Sequence, residues 1–336
     1  ERASTAVLNA FVQPVVHRYL ATLQERLREG GMRAPLLVVR SNGGLMHADD
    51  AARLPAFTLL SGPAAGVASA AATARAHDLP RVITYDMGGT SLDVSVVVDG
   101  RIQLRSARSI EFGLPLHVPQ ADITAIGAGG GSIAWIDGSG FLRVGPKSAG
   151  ADPGPACYGR GGTEPTVTDA HVAAGTIDPR LTIGSGVGVR IDRDLAIGAL
   201  GRLGARLGLD PLATAEALLD VANTKMVGAL RAMSVQRGLD PREFVLMPFG
   251  GAGSLHLCAL IDLLGARAGV VPPTPGVMSA VGCAFADMQH ELTRTLNRPL
   301  ETISPAELAE AVETHAAEGA AFFGQSVDVH PSLAMN

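Results

Sequence analysis

The stretch "VITYDMGGTSLDVSVVVDGRIQL", residues 82–104, carries the strongest fold signal in the chain. β-branched and aromatic residues dominate both sides of its GGTS bend, a pattern typical of two strands joined by a tight turn. Asp86 and Asp93 flank that bend. The later Asp99-Gly100 pair predicts a type I′ turn into another strand. The stretch therefore predicts three consecutive strands, with two acids at one end of the first hairpin.

Composition narrows the class of protein. Of the 336 residues, 47% are hydrophobic and 18% are charged, against roughly a quarter charged in an average domain. The chain can therefore bury a sizeable core, as one large α/β unit or two subdomains. The net charge of -5 and the lack of a basic run argue against nucleic-acid binding. No apolar run is long enough to predict a membrane span.

Cysteine usage bears on the compartment. Cys157, Cys258 and Cys283 are far apart in sequence and form no C-x-x-C pair. Neither a disulfide scaffold nor a zinc ribbon is expected from this spacing, and a reducing cytoplasm fits it better.

Glycine is concentrated in turns that follow apolar runs. The turns are "SNGG" (41–44), "DMGGTSLD" (86–93), "GAGGGS" (127–132) and "FGGAGS" (249–254). Glycine turns at strand ends expose backbone N–H groups that bind anions, phosphate above all. The sequence has no P-loop motif, and 127–132 lacks the βαβ context of a dinucleotide loop. What remains is a hairpin that covers phosphates, with rim acids suited to hydrated Mg²⁺.

The rest of the pattern predicts an α/β chain with a glycine-rich middle. Apolar residues recur at helical spacing in 4–29, 61–78, 194–208 and 211–238, and a capping pattern begins another helix at 304–324. Pro14 is expected to kink or split the first helix, and Ser61 to cap the second. Residues 110–190 carry few helix signals, which indicates a subdomain or insertion beside a cleft.

Several stretches together resemble the hydantoinase A / 5-oxoprolinase family of the actin-like ATPase superfamily. This family includes N-methylhydantoinases and beta-type subunits of acetone carboxylases. The stretches are "VQPVVHRYL" (12–20), "LLVVRSNGGLM" (36–46), "LLSGPAAGV" (59–67), "YDMGGTSLDVSVV" (85–97), "IGAGGGSIAWID" (126–137), "LRVGPKSAGADPGPACYGRGGTEPTVTDA" (142–170), "RGLDPREFVLMPFGGAGSLH" (237–256) and "VPPTPGVMSAVG" (271–282). The resemblance covers about residues 3–290. One mild departure is Ser254, where the family has proline.

The resemblance implies an α/β fold: an actin-like (ribonuclease H-like) ATPase core with a glycine-rich inserted β subdomain, in a fragment of a larger chain. The resemblance implies a hydantoinase A-type domain at 1–290 and the start of a truncated C-terminal region at 291–336. Within the domain, the implied parts are a phosphate-loop hairpin at 82–105, a glycine-rich subdomain at about 110–190, and a helical and adenosine-loop part at 194–290. Relatives carry a second phosphate loop in an earlier domain, which nothing before Asp86 supplies. This chain alone is therefore expected to bind ATP weakly and not to turn it over.

The implied activity is that of the ATP-binding component of an ATP-dependent hydantoinase or 5-oxoprolinase. ATP would phosphorylate the oxygen of a cyclic amide or ketone and so activate it for ring-opening hydrolysis or carboxylation. A hydantoinase B-type subunit or domain, further copies of the chain and a cytoplasmic location are also implied. Two alternatives stay open: a small-molecule kinase of the same fold, or a non-catalytic nucleotide-binding module. Whether the substrate is a hydantoin, oxoproline, lactam or ketone is not determined by these residues.

The resemblance also assigns site residues. Asp86 and Asp93 are the candidate catalytic acids, and Asp86 would hold the Mg²⁺ of Mg-ATP through water. Candidate nucleotide contacts are Gly88, Gly89, Thr90, Ser91, Gly129, Gly130, Gly250, Gly251 and Gly253. Asn42 and Gly43 are candidates for substrate contact. Which of the two acids takes which role is left open.

Each of these assignments has a plainer structural alternative. The 86–93 stretch could be an ordinary turn with solvated acids, and 127–132 or 249–254 could be glycine turns needed only for packing. Asn42 could simply be a turn residue. A packed loop, or else a substrate contact, is expected for Cys157 rather than a nucleophile, because the nearness of His171 in sequence does not place a base beside the thiol. Lys225 and Arg231 are expected on the surface.

Overall fold

The computed structural model describes residues 2–110, 113–180, 182–183, 188–290, 292, 296 and 298–323. The chain divides into two compact units, Glu1–Asp287 and Met288–Asn336. Parts of the glycine-rich region and of the C-terminal region fall outside the described residues, so the boundaries proposed for them stay predictions.

The helices are α1 Arg2–Glu29, α2 Ala48–Arg53, α3 Ser61–Ala76, α4 Val167–Ala173, α5 Arg193–Gly204, α6 Pro211–Val235, α7 Gly250–Gly253, α8 Leu257–Leu264, α9 Met278–Phe285 and α10 Pro305–Phe323. The strands are β1 Leu37–Val39, β2 Leu45–His47, β3 Arg81–Met87, β4 Leu92–Val98, β5 Arg101–Ile102, β6 Leu104–Arg105, β7 Arg108–Ser109, β8 Pro115–Leu116, β9 Gln120–Ala121, β10 Ile123–Ile126, β11 Ser132–Ile136, β12 Leu142–Ser148, β13 Thr182–Ile183, β14 Val189–Arg190, β15 Val245–Phe249 and β16 Ala268–Gly269.

A mixed central sheet organises the first unit. Its order is β10-β4-β3-β15-β16, and β5 pairs with β4. Strand β4 is antiparallel to both β3 and β10, whereas β15 is parallel to β3. Strands β3, β10 and β15 therefore run in the same direction, and their carboxyl ends lie along one edge of the sheet. The loops that follow these three strands must emerge together there.

Successive side chains along each strand point to opposite faces of this sheet, so apolar residues form a core on each face. Ile83 and Tyr85 pack with Met226 and Leu230 of α6 in one buried cluster. Val82 lies in the other cluster, beside α3 and α9. Burying a side chain of this size contributes about 1.5–3 kcal/mol, so the sheet is held firmly by helices on both sides.

The hairpins predicted from sequence are confirmed. β3 and β4 pair in register from Arg81 opposite Val98 to Met87 opposite Leu92. Asp99 and Gly100 both have positive φ, 50° and 68°, as a type I′ turn requires. In the glycine-rich region, β11 and β12 form a further antiparallel hairpin.

The expectations about Pro14 and Ser61 have different outcomes. Pro14 lies inside α1, which continues from Arg2 to Glu29, so it does not split the helix, and the expected kink stays a prediction. Ser61 is the first residue of α3 rather than its cap, because Leu60 takes the N-cap position in the left-handed region at φ 55°. In the glycine-rich region, β10 joins the central sheet, and the short helix α4 begins at a capping box formed by Thr166 and Asp169.

Candidate functional site

Three glycine-containing segments meet at the carboxyl edge of the sheet. The hairpin turn (88–91) follows β3, the glycine loop (127–132) follows β10, and the β15 loop (249–254) follows β15. Sheet topology alone brings them together, although they are far apart in the chain. Ligands commonly bind outside the carboxyl ends of strands in such sheets.

The glycine loop holds the backbone of the hairpin turn by two hydrogen bonds. The amide of Gly130 donates to the carbonyl oxygen of Gly88 at 3.0 Å, and the amide of Gly131 donates to that of Gly89 at 2.7 Å. The Ser148 hydroxyl also donates to the Gly89 carbonyl, at 3.3 Å. The carbonyl groups of Gly88 and Gly89 therefore face the glycine loop.

This arrangement decides where the next two amides point. In a trans peptide, the C=O of one residue and the N–H of the following residue point in opposite directions. The N–H groups of Gly89 and Thr90 therefore point away from the glycine loop. Gly88, Gly89 and Thr90 are exposed, and a Cβ built on either glycine would meet no atom within 4 Å. Two oriented amides beside open space form a suitable anion-binding feature.

Two acids lie beside this feature. Asp86 and Asp93 are direct cross-strand partners at the end of the hairpin. Burial, followed by the charge of Asp93, raises the pKa of Asp86 to about 6. Burial also raises the pKa of Asp93, with Arg108 acting in the opposite direction. Half-buried acids that face each other gain from a bound cation, which would offset both their repulsion and their desolvation.

The β15 loop packs directly against Asp86. Gly250 has φ 79°, and a Cβ there would collide with Asp86 Oδ1 and with the Met87 carbonyl. Only glycine allows this close approach. Gly251 is exposed, whereas Gly253 is buried and its carbonyl accepts a hydrogen bond from the Tyr85 hydroxyl at 3.3 Å. Gly251 therefore faces solvent near the acids, and Gly253 lies in the packed interior.

The glycine loop itself is buried. The Gly129 amide donates to Ser132 Oγ at 2.8 Å, and the Gly130 carbonyl accepts from both the amide (2.8 Å) and the hydroxyl (2.9 Å) of Thr168. A Cβ on Gly129 would lie 2.5 Å from the Thr90 nitrogen. The amides of this loop are thus engaged within the protein, and its observed part is to support the hairpin turn.

The "SNGG" turn is not brought to this edge. Asn42 Oδ1 accepts from the backbone amide two residues later at 3.0 Å, as a turn residue does. A Cβ on Gly43 would meet Ile102, which pairs with Val97 on β4. Val97 is four residues from Asp93, or about 13 Å along the strand. The substrate role of Asn42 and Gly43 stays a prediction that this placement does not favour.

Lys225 corrects a sequence prediction. It was expected on the surface, but its Nζ is half-buried and donates to the carbonyls of Gly127 (2.7 Å) and Val144 (3.2 Å). Burial lowers its pKa. Arg231, on the same helix, is exposed as expected, and its guanidinium donates to the Leu263 carbonyl at 3.0 Å.

Sequence reasoning also missed a buried histidine pair. His256 Nε2 lies 3.3 Å from His171 Nε2, and His256 Nδ1 lies 2.6 Å from Asn223 Oδ1. Burial lowers the pKa of His171 to about 4, and burial together with His171 lowers that of His256 to about 3. Both rings are therefore neutral near pH 7. No sequence signal joins residues 85 positions apart; the one local hint is that His256 lies two residues after the β15 loop.

Cys157 has the structural surroundings expected of a packed residue. It is fully buried, and its amide donates to Asp169 Oδ1 at 2.7 Å. Burial and the nearby Asp169 carboxylate raise the pKa of its thiol. A protonated, buried thiol is a poor nucleophile.

A cation bound at the carboxyl edge of the sheet would have few side chains of the protein as ligands. Across the described ranges, no three or more His, Cys, Asp or Glu side chains are grouped so as to hold a metal ion. Asp86 and Asp93 are two carboxylates at one point, which fits Mg²⁺ because that ion keeps several of its waters and uses one or two carboxylates beside phosphates. In the same described ranges, no helix combines the length and apolar character needed to cross a bilayer.

The model of the family described as "Hydantoinase/oxoprolinase" matches residues 2–292 of this chain. The chain belongs to the hydantoinase/oxoprolinase family. Among relatives, the caprolactamase subunit alpha of Pseudomonas jessenii is 36% identical over 301 residues, covering 89% of this chain and 43% of the relative. The acetophenone carboxylase gamma subunit of Aromatoleum aromaticum is 35% identical over 293 residues, covering 86% and 39%.

Solved structures of the family share the mixed α/β fold. The crystal structure of the ATP-dependent caprolactamase from Pseudomonas jessenii superposes with a TM-score of 0.80 at 32% identity, covering 97% of this chain and 47% of that one. Nucleotide-free acetone carboxylase superposes with a TM-score of 0.74 at 27% identity, covering 91% and 43%. The chain thus spans less than half the length of each of these relatives. The family resemblance stated from sequence is confirmed.

Proposed function

We propose that this hydantoinase/oxoprolinase-family chain is the ATP-binding part of an enzyme that phosphorylates a cyclic amide or ketone. The observation that carries the proposal is the hairpin turn. Its carbonyls are fixed by the glycine loop, so the amides of Gly89 and Thr90 point outward beside Asp86 and Asp93. These groups suit the terminal phosphates of Mg-ATP.

The roles follow from the positions of the groups. The Gly89 and Thr90 amides, with the hydroxyls of Thr90 and Ser91, would bind phosphate oxygens. Asp86 and Asp93 would hold the water shell of Mg²⁺, whose charge neutralises the phosphates. The exposed Gly251 and the adjacent Gly250 would face the nucleoside. Gly129, Gly130 and Gly253 would act from behind, by holding the loops in place.

The chemistry would be phosphoryl transfer followed by attack on the activated group. The γ-phosphoryl leaves ADP and bonds to the substrate oxygen. An amide is a poor electrophile, and O-phosphorylation turns its oxygen into a good leaving group. Water then adds to the ring carbon, and the tetrahedral intermediate expels the protonated ring nitrogen, which breaks the C–N bond and leaves an acyl phosphate. A second water attacks the acyl carbon and releases inorganic phosphate and the ring-opened carboxylate. A ketone would instead be carboxylated through its O-phosphorylated form.

The fold and the partners form part of the same proposal. The central sheet with helices on both faces would be an actin-like core, and the hairpin turn would be half of its phosphate clamp. A second phosphate loop in another lobe would complete the clamp. A hydantoinase B-type subunit or domain would take the activated substrate, and the subunit designation of the caprolactamase relative supports a multi-subunit enzyme.

The nucleotide site is tested by ligand-observed NMR titration with Mg-ATP, which detects weak binding. Gly89→Val adds a side chain in open space, so the fold should be retained while the phosphate position is obstructed. We expect affinity to fall on the order of tenfold or more, the loss of about 1.4 kcal/mol of binding. Gly138→Val is the matched control, because Gly138 is also exposed with no atom within 4 Å of its Cβ position. Equal binding by both variants would refute the site.

The reaction class has its own test, on the complete enzyme with its partner subunit. Phosphate release that requires a cyclic amide supports the hydrolase. Phosphate retained on the acceptor would indicate the kinase alternative. If neither is seen, the non-catalytic module is the better description.

A further inference from the structure

Helix α6 makes two unusual contacts from neighbouring positions. Asn223 and Lys225 are two residues apart, and such residues leave a helix about 200° from each other around its axis. One side chain contacts the segment after the β15 loop, and the other contacts the start of the glycine loop. The helix therefore lies between the two loops that flank the hairpin turn.

The Lys225 contact holds the glycine loop. Its ammonium bridges the carbonyl of Gly127, the first residue of that loop, and the carbonyl of Val144 in β12. Neither acceptor is a charged partner, so the bond joins two backbone segments rather than neutralising a carboxylate. Charge-assisted hydrogen bonds of this kind are stronger than neutral ones.

The Asn223 contact holds the other side through the histidines. Asn223 Oδ1 is an acceptor, so His256 Nδ1 carries the proton. The Nε2 of neutral His256 must then accept, and His171 Nε2 donates to it. His171 belongs to α4, and Thr168 of the same helix donates to the Gly130 carbonyl in the glycine loop. The contacts therefore run from α6 through both histidines and back to the glycine loop.

We propose that α6 is a strut that sets the separation of the glycine loop and the β15 loop, and that Asn223 and Lys225 are positioning residues for Mg-ATP at the hairpin turn. The inference rests on the proposed nucleotide site. Neither side chain needs to touch the nucleotide. Each acts through the loops, because the glycine loop orients the peptide groups of Gly88 and Gly89.

The physical consequence of losing a strut contact is local. Removing the Lys225 ammonium leaves the Gly127 and Val144 carbonyls without that donor, and unpaired buried acceptors drive the backbone to rearrange. The amides of Gly130 and Gly131 would then hold the hairpin turn less firmly. The Gly89 and Thr90 amides would sample more directions, and Mg-ATP would bind more weakly.

Lys225→Met tests the first contact, with Arg231→Met as its matched control. Both changes remove a cation-to-carbonyl hydrogen bond from the same helix, but the partner of Arg231 is Leu263, which is not in any of the three loops. We expect only Lys225→Met to weaken Mg-ATP binding, about tenfold, and to speed hydrogen exchange at the Gly130 and Gly131 amides. Lys225→Arg should restore both, because a guanidinium can donate to two carbonyls.

Asn223→Leu tests the second contact, with Asn223→Asp as the conservative variant. Asp keeps an oxygen acceptor for His256 Nδ1, whereas Leu removes it. We expect weaker Mg-ATP binding in the Leu variant and affinity close to wild type in the Asp variant. Equal affinity in wild type and the Leu variant would overturn the role of Asn223.

The two readouts separate the strut from the proposed function. If the unmodified chain shows no Mg-ATP binding, the nucleotide site fails, while exchange at Gly130 and Gly131 in nucleotide-free protein still decides the strut. If Lys225→Met and Arg231→Met give the same exchange rates and the same affinity, the strut is refuted. Faster exchange confined to Lys225→Met supports it.

Discussion

Asp86 and Asp93 show how a hairpin register can set acid strength. Antiparallel pairing places the two carboxyl-bearing residues directly opposite each other, at the half-buried end of the sheet. Burial and like charge both disfavour ionisation of Asp86, which explains its pKa of about 6. In the proposed site, a hydrated cation bound near neutral pH would displace the proton from such a pair.

The pH dependence of this pair can be predicted with its sign. The pKa of Asp86 is higher in the folded protein, about 6, than its ordinary 3.8. Its contribution to stability is therefore fully present below pH 3.8 and is lost as pH rises through 6. Asp93→Asn removes the like charge, so we expect a lower Asp86 pKa and a smaller loss, measured by NMR titration and chemical denaturation between pH 4 and 8.

The matched control for that charge change is Asp99→Asn. Asp99 lies in the exposed turn at the other end of β4 and has φ 50°, a conformation that Asn accepts readily. It should leave the pKa of Asp86 unchanged. A pKa of Asp86 that is the same in wild type and Asp93→Asn would show that repulsion between the two acids contributes nothing.

A substitution at Gly129 tests whether the close approach of the glycine loop supports the hairpin turn, because it adds one Cβ atom between them. A Cβ at this position lies 2.5 Å from the Gly89 carbonyl carbon and from the Thr90 nitrogen, so Gly129→Ala must push the two loops apart. We expect about 1–3 kcal/mol of lost stability and weaker Mg-ATP binding. Urea denaturation measures the first effect, with Gly138→Ala as an open-space control. A Gly129→Ala protein as stable as that control would contradict the close approach.

At the scale of elements, small residues allow α3 and α9 to pack closely. A Cβ on Gly282 of α9 would overlap the Ala65 backbone of α3, and one on Gly66 would lie 2.5 Å from the Phe249 ring. Gly228 of α6, by contrast, is exposed with no atom within 4 Å of its Cβ position. These glycines look alike in sequence but have opposite packing requirements.

Alanine substitution should separate these two kinds of helical glycine. Gly282→Ala is expected to destabilise the fold by about 1–3 kcal/mol or more through overpacking. Gly228→Ala is expected to stabilise it by about 0.4–1 kcal/mol, because the unfolded chain loses conformational freedom. Chemical denaturation of the two variants beside wild type is the measurement. The same sign for both would mean that interhelical distance does not decide the outcome.

Elements with strong local signals could be predicted, and their exact ends could not. The hairpin of β3 and β4 followed from β-branched runs around glycine, and α6 from its apolar periodicity. The start of α3 was misassigned because the left-handed conformation of Leu60 carries no sequence signal. Pro14 does not split α1, because the helix continues on both sides of it, and the expected kink stays a prediction.

At the scale of the whole molecule, the buried histidines make the free energy of unfolding depend on pH. His171 and His256 have pKa values near 4 and 3 in the fold, below the ordinary 6.5. The unfolded chain therefore binds more protons below pH 6.5, and folding stability falls as pH drops from there towards 4 and 3. Each ring contributes up to about 1.4 kcal/mol per pH unit in this window.

His256→Gln should make the acid side of the stability profile shallower. Glutamine cannot be protonated here, so one linked proton is lost, although stability at pH 7 also falls because the contacts with Asn223 and His171 change. Thermal unfolding from pH 7 to 4 gives the slope. Equal slopes in wild type and His256→Gln would show that the buried pair is not the linked group.

By itself, the sequence determined the family, the α/β class and the hairpin with its two acids. These depend on patterns within short stretches of chain, where local backbone preference and residue order suffice. The alternation in 82–98 and the glycine bend between the strands are examples. Membership in the hydantoinase/oxoprolinase family was evident for the same reason, since its motifs are local.

Only the tertiary structure decided how these motifs act on one another. Sheet order placed 127–132 and 249–254 on either side of the hairpin turn, and it placed "SNGG" elsewhere. The contacts of Lys225 and the pairing of His171 with His256 join segments 81 to 98 positions apart. Such contacts depend on where three strands end in space, and no local preference of the chain encodes that position.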